Sequence, residues 1–391
     1  MRIMKSLLVI TLLLLVLTGR AEAAGRFDPY GELKWMQEKS GKLSADPTLT
    51  DNGLLYCPVG NKILCYDVNR GVKLWERKAD VGGKITEPLL VQEQTIYATG
   101  TEGIQQMKPN GSLTWVYRVY PKPKGTKSSG VVSTGPGELI YFGVADGIYA
   151  LEPKKNYQWR YSDEDNVAAC LGNDRYVYVS LKDAAGTYSL SALDPEGDRV
   201  WHQGWGKLKN IRLTFAPDGN LLVVTNPASL GDRDYGRVRC LNPETGKEIW
   251  NYSVKADDIT AVSFSTEGKI FFTANSRLFC LDDQTGLLDW NLPLLNVSSG
   301  AAVDDSKKRI YAGSTDGRIF CVSFAGRVIW DKEVDKTVSQ EMHKDGGFMV
   351  DTGKDDKDSF SRAPILLKNG ELLIYSDKGT IFKFVDIHKE G

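Results

Sequence analysis

Asn242-Pro243-Glu244-Thr245-Gly246-Lys247-Glu248-Ile249-Trp250 reads as a tight turn that ends in a tryptophan on a strand. An Asn at the head of such a turn bonds the backbone two residues on, and the Gly takes a positive φ at no steric cost. Cys280-Leu281-Asp282-Asp283-Gln284-Thr285-Gly286, with Trp290 after it, is a second copy. Moving outward, a Gly four residues before a Trp recurs as Gly31 and Trp35, Gly71 and Trp75, Gly111 and Trp115, Gly197 and Trp201, Gly246 and Trp250, Gly286 and Trp290, and Gly326 and Trp330. Trp159 joins the series with Lys155 in the Gly place. Successive tryptophans lie 40, 40, 44, 42, 49, 40 and 40 residues apart, and of the nine in the chain only Trp205 falls outside. A period of this length belongs to propellers or solenoids.

The contents of one period choose between them. Ala301-Ala302-Val303, Ile310-Tyr311-Ala312-Gly313-Ser314, Ile319-Phe320-Cys321-Val322 and Val328-Ile329-Trp330 are four short β-rich runs separated by turn residues. No period carries a helical stripe of ten or more residues. Four strands per unit make one propeller blade. The third strand of a unit ends in a small-x-Asp pattern, as in Cys65-Tyr66-Asp67, Ala192-Leu193-Asp194, Cys240-Leu241-Asn242 and Cys280-Leu281-Asp282. Lys108, Glu152 and Ser323 depart from the Asp slot, so weaker turns are expected there. The first unit has only its last strand, near residues 33–36, and the last unit has three, near 364–367, 371–375 and 380–386. Pairing the two ends in one sheet removes an exposed edge. The expected fold is an all-β, eight-bladed β-propeller of four-stranded blades, closed by its N- and C-terminal strands.

These repeats resemble the pyrroloquinoline-quinone (PQQ) repeat of quinoprotein-like propellers, over essentially the whole chain after residue 23. The chain is also similar to the propeller scaffold of the outer-membrane β-barrel assembly machinery. The resemblance implies that each repeat tryptophan (Trp35, Trp75, Trp115, Trp159, Trp201, Trp250, Trp290 and Trp330) docks between neighbouring blades as a fastener.

The first segment reads as an address. Arg2 and Lys5 precede an apolar run over residues 7–17, and Ala21-Glu22-Ala23 offers a cleavage signature. The run is shorter than the ~20 apolar residues a membrane span needs. Residues 1–23 are therefore expected to be a signal peptide cleaved near Ala23, and residues 24–391 the propeller. No Cys precedes Cys57 to accept a lipid, so an extracytoplasmic chain that is not a lipoprotein, with no membrane span after cleavage, is expected.

Composition narrows the function. The 391 residues carry 49 basic and 50 acidic side chains, a net charge of −1, without the basic excess of a nucleic-acid binder. Three His, and six Cys without a CxxC, give no metal-site spacing. Cys65, Cys240, Cys280 and Cys321 share a slot that Ala150 and Ala192 fill elsewhere, which reads as small buried filler. Cys57 and Cys65 lie on one hairpin, and the sequence leaves a bridge between them open.

In a four-stranded unit the loops after the second and fourth strands, B–C and D–A, share one face. Four long excursions fall on that face: 118–129, 181–186, 226–236 and 331–362. Long loops on a rigid scaffold are where binding concentrates. The Asp355-Asp356-Lys357-Asp358 run in the longest lacks calcium-loop spacing, and that loop is expected to be solvated and partly disordered. The favoured function is a noncatalytic scaffold that binds a protein or cell-envelope partner through this face. The alternatives are a PQQ- and calcium-dependent sugar or alcohol dehydrogenase and a carbohydrate- or cell-wall-binding propeller. Against the dehydrogenase stand the missing Cys-Cys pair and haem motif. No cofactor, metal or catalytic residue is expected. Asp46, Glu87 and Arg212 precede innermost strands and are expected to line the central channel.

Overall fold

The computed structural model describes residues 31–37, 41–120, 130–161, 166–229, 235–334 and 359–387. The signal-peptide reading and most of the 331–362 excursion fall outside these residues. Among them are six four-stranded sheets, one seven-stranded sheet and a single 3-10 turn, Pro136–Glu138. No helix among the described residues is long and apolar enough to cross a membrane.

All strand pairings are antiparallel and, with one exception, between neighbours in the chain; one of the neighbour pairings is also unusual. Gly31–Gln37 pairs antiparallel with Ile381–Asp386, setting Trp35 opposite Lys383, so the first and last described strands share a sheet. Arg199–Phe215 is one 17-residue strand whose first half pairs with Thr187–Leu193 and second half with Leu221–Pro227. It welds the units of Trp201 and Trp250, the fourth and fifth counted from the first complete unit at Trp75, into the seven-stranded sheet, where the repeat pattern alone suggests two separate ones. Trp205, the tryptophan outside the series, lies on this strand under the Arg239 guanidinium, 4.7 Å from the ring centre.

The middle strands are apolar on both faces because each sheet is sandwiched between two others. Ile140–Val144 and Gly147–Leu151, for example, are buried at every position. The sandwich forms a series of apolar seams. One gathers Tyr56, Cys65, Ile85 and Ile96, and another Phe271, Cys280, Ile310 and Phe320. Buried apolar area at ~25 cal/mol per Å² is the main source of stability for such seams.

Seven repeat tryptophans, from Trp75 to Trp330, lie at the seams. The indole Nε1 of Trp75 donates to the carbonyl of Pro109, Trp115 to Pro153, Trp159 to Pro195 and Trp201 to Pro243. Trp250 donates to the Asp283 carbonyl at 3.1 Å and Trp290 to Phe324 at 2.9 Å. Each acceptor immediately follows the Asp-type slot of the next unit. The repeat glycine sits against the ring of the preceding tryptophan. A Cβ on Gly286, whose φ is +68°, would lie 2.3 Å from Cε3 of Trp250. Trp330 differs in reaching the carboxylate of Asp386, at 3.3 Å, instead of a carbonyl.

The small slot is explained by register. Cys65, Ala150, Ala192, Cys240, Cys280 and Cys321 lie directly across from Trp75, Trp159, Trp201, Trp250, Trp290 and Trp330. All six cysteines are free. Cys57 pairs with Leu64 and Tyr56 with Cys65, so the two thiols point to opposite faces of their hairpin and enter different seams. That geometry removes the bridge the sequence left open.

The Asp slot works through its side chain. Asp67 Oδ1 accepts from the amides of Asn69 and Arg70, Asn242 Oδ1 from Glu244 and Thr245, and Asp282 Oδ1 from the Thr285 amide and hydroxyl. Lys155, standing where other units have Gly, is forced to a φ of +77°.

Candidate functional site

The innermost strands approach so closely that side chains have little room. A Cβ on Gly130 would lie 2.7 Å from the Gly100 carbonyl, and one on Gly172 2.1 Å from the Thr134 carbonyl. Where this packing opens, a cavity of about 650 Å³ is walled by the inner strands of the second to fifth units. Glu87, Leu89, Val131, Asn166, Cys170, Asn210 and Arg212 line it, and Lys182 and Tyr188 enter from the adjacent hairpin.

Glu87 and Arg212 therefore share one cavity. Asp46 is not among its lining residues, though its charge reaches Glu87. Burial, reinforced by the Asp46 carboxylate and opposed by Arg212, pushes the Glu87 carboxyl up to about 7. Burial, and then Glu87, push the Cys170 thiol upward as well, away from the thiolate form. Arg212 is held elsewhere: its Nη1 donates to the Ile259 carbonyl at 2.7 Å and lies 3.6 Å from Asp258. Asn226, fully buried, fixes that corner by bonding Asn210, Asp258 and both polar groups of the Ile259 backbone. Lys182 Nζ rests 5.1 Å above the ring of Tyr188, whose hydroxyl donates to the Lys209 carbonyl at 3.1 Å.

Sequence reasoning missed Lys182, Tyr188, Asn166 and Cys170. Cys170 left one signal, as a cysteine outside the repeat slot. The others depend on strand register, since Lys182 and Tyr188 are cross-strand partners.

On the B–C and D–A face, the excursion expected over 181–186 is shorter than the sequence suggested. Leu181 and Lys182 belong to the strand Val177–Lys182, and Asp183 closes a tight turn by accepting from the Thr187 amide at 2.7 Å. Of 226–236, the first two residues belong to the strand Leu221–Pro227. Residues 121–129, 230–234 and 335–358 lie outside the described set. The 331–362 excursion returns through Phe360, which is fully buried edge-on to Phe382. Ser359 and Ser361 then donate to the Asp377 carboxylate, and Arg362 pairs with Asp46. Tyr120 and Leu295 on this face are 95% and 69% exposed.

A calcium-bound quinone asks for several oxygen ligands around the metal, typically six to eight. The cavity offers a single carboxylate, Glu87, whose proton is held to near neutrality. Among the described residues no three His, Cys, Asp or Glu side chains gather to hold a metal ion. The donor set does not fit that group.

Stacked antiparallel four-stranded sheets with tryptophans at their seams define a β-propeller. The chain matches the family described as outer membrane protein assembly factor BamB over residues 20–173 and 186–387, and it belongs to that family. No curated protein sequence matches it. Among solved structures it is similar to BamB from Moraxella catarrhalis, with a TM-score of 0.62 and 14% identity, covering 92% of this chain and 99% of that one. It is similar also to the quinohemoprotein alcohol dehydrogenase from Comamonas testosteroni, with a TM-score of 0.64 and 13% identity over 93% of this chain and 77% of that one. The Dos1 propeller matches with a TM-score of 0.65 and 11% identity over 92% and 96%. Such distant likenesses speak to the fold alone.

Proposed function

We propose that this chain is an extracytoplasmic, noncatalytic scaffold that binds a protein partner through its B–C and D–A loop face. In this reading residues 1–23 are a cleaved signal peptide, and the repeat units close into an eight-bladed ring fastened by the eight tryptophans. The carrying observation is membership of the BamB family across nearly the whole chain. Two structural features support the reading. The exposed apolar residues Tyr120 and Leu295 and the two described ends of the longest connection, near residues 334 and 359, all belong to D–A connections. The axial cavity lacks the donor set a quinone enzyme needs.

Photo-crosslinking tests it. A crosslinker replacing Leu295 or Tyr120 should give a discrete partner adduct from envelope extracts, and one replacing Leu287, on the opposite face, should not. Replacing 336–357 by a short Gly-Ser linker, with Phe360 kept, should preserve the fold and weaken the adduct. Adducts of equal strength from Leu287 would move the interface. Dye-linked oxidation of alcohols or sugars on adding PQQ and calcium would establish the dehydrogenase reading instead.

A further inference from the structure

The axial cavity has a chemistry that a loop-face scaffold does not use. Its volume falls in the ~300–1,000 Å³ range of small-molecule sites. Its wall combines an acid, a base and apolar surface. Glu87, half-buried, has no hydrogen bond or ion pair with any described residue. Withdrawing a carboxylate from water without a partner is costly, which is why its proton is held so long. The cation closest in effect, Arg212, is committed to Ile259 and Asp258. Lys182, across the cavity wall, spends its charge on the face of Tyr188 alone. The same lining holds Leu89, Val131 and Ile211, and the side-chain amide of Asn166, which makes no bond to a described residue.

We propose that this cavity binds a short peptide with free termini, whose ammonium group is received by Glu87 and whose carboxylate is received by Lys182. The free ammonium supplies the counter-charge that Glu87 lacks. The carboxylate converts a cation–π contact into an ion pair in a shielded setting, where such pairs gain strength. Asn166 offers both a donor and an acceptor, the complement of a peptide group. A simple anion would meet the Glu87 and Asp46 charges, and a metal ion would find one carboxylate. The site meets the loop face at Lys182, but its test stands whether or not that face binds a protein.

Titration calorimetry of the full chain with the tripeptide Gly-Leu-Gly, its N-acetylated form and its C-amidated form tests this directly. The free peptide should bind saturably, one per chain, and each blocked form about tenfold more weakly. Glu87→Gln should weaken the free and amidated peptides about tenfold and leave the acetylated one unchanged. Lys182→Met should weaken the free and acetylated peptides and spare the amidated one. Binding at pH 7 should also release part of a proton from Glu87, seen as a heat that varies with the buffer. No saturable binding at millimolar peptide, equal binding of all three peptides, or heats that ignore the buffer would each overturn the proposal. The blocked peptides need only the unaltered chain, so the test survives a variant that fails to fold.

Discussion

Asp386 and Glu87 are both carboxylates withdrawn from bulk water, one at the seam before the sheet that joins the two chain ends, the other in the axial cavity. The Asp386 side chain is fully buried and accepts from the Arg309 guanidinium, from the Tyr311 hydroxyl at 2.6 Å and from the Trp330 indole at 3.3 Å. Glu87 accepts from nothing described, and only burial and distant charges act on it. The difference separates a group built into the frame from a group left for something else. It also marks the Trp330 seam as special. From Trp75 to Trp290 the repeat tryptophan needs only a backbone carbonyl, which every sequence provides. At the seam leading to the terminal sheet, recognition is by an ion pair, which only one sequence position provides. A buried pair of this kind adds little net stability but selects strongly against wrong partners, and that is the role we assign to it.

The comparison breaks most sharply at Asp386. Asp386→Ala should cost about 3–5 kcal/mol in denaturant unfolding, because the buried Arg309, Tyr311 and Trp330 each lose the carboxylate they donate to. A loss below about 1 kcal/mol would mean the seam is held by its apolar contacts alone. Trp250→Ala, at a seam with a carbonyl acceptor, should cost ~3–4 kcal/mol, almost all of it cavity formation. A much smaller loss would remove the fastener reading of the repeat.

Glu87 should behave in the opposite sense. Its folded pKa, about 7, lies above the unfolded value near 4.5, so the native state holds the proton longer. Stability then falls as pH rises from 4.5 to 7 and is flat beyond. Glu87→Gln should flatten that decline and raise stability at pH 8 by about 1–2 kcal/mol, measured as a melting shift against pH. A destabilised Glu87→Gln protein would place Glu87 in the frame beside Asp386. The smallest effect is expected at the turns. Asp282→Ala should cost ~1 kcal/mol through the Thr285 bonds, and Glu152→Ala, at a departed slot, close to nothing.

The propeller class was legible in the sequence because it rests on spacing and on local turn chemistry. The strand expected near 371–375 is Glu371–Tyr375, and that near 380–386 is Ile381–Asp386. What eluded the sequence was decided by register or by long-range contact. Cys57 and Cys65 are one residue out of register with each other. The two-residue turn Gly60-Asn61 between Val59 and Lys62 was a signal that would have shown it. The weld at Arg199–Phe215 was hidden because its unit is only slightly long, although the glycines 204 and 206 mark where the strand bends in open space. Glu87 and Arg212 were singled out one at a time from their place before inner strands. Their meeting with Lys182 requires the curvature of several sheets.

The strand Arg199–Phe215 has a mechanical consequence. Among the described residues no other pair of repeat sheets shares a strand. The fourth and fifth share a continuous hydrogen-bond ladder. Any splaying of the two must first break backbone bonds, so this pair moves as a single plate. Slow breathing is thereby diverted to the seams that no strand crosses, and amides along the plate should exchange with solvent together. The axial cavity has one of its walls on that plate, at Asn210 and Arg212, and a second on Asn166 and Cys170 of the same sheet. Eleven of its seventeen lining residues are thus held at fixed spacing however the remaining units move.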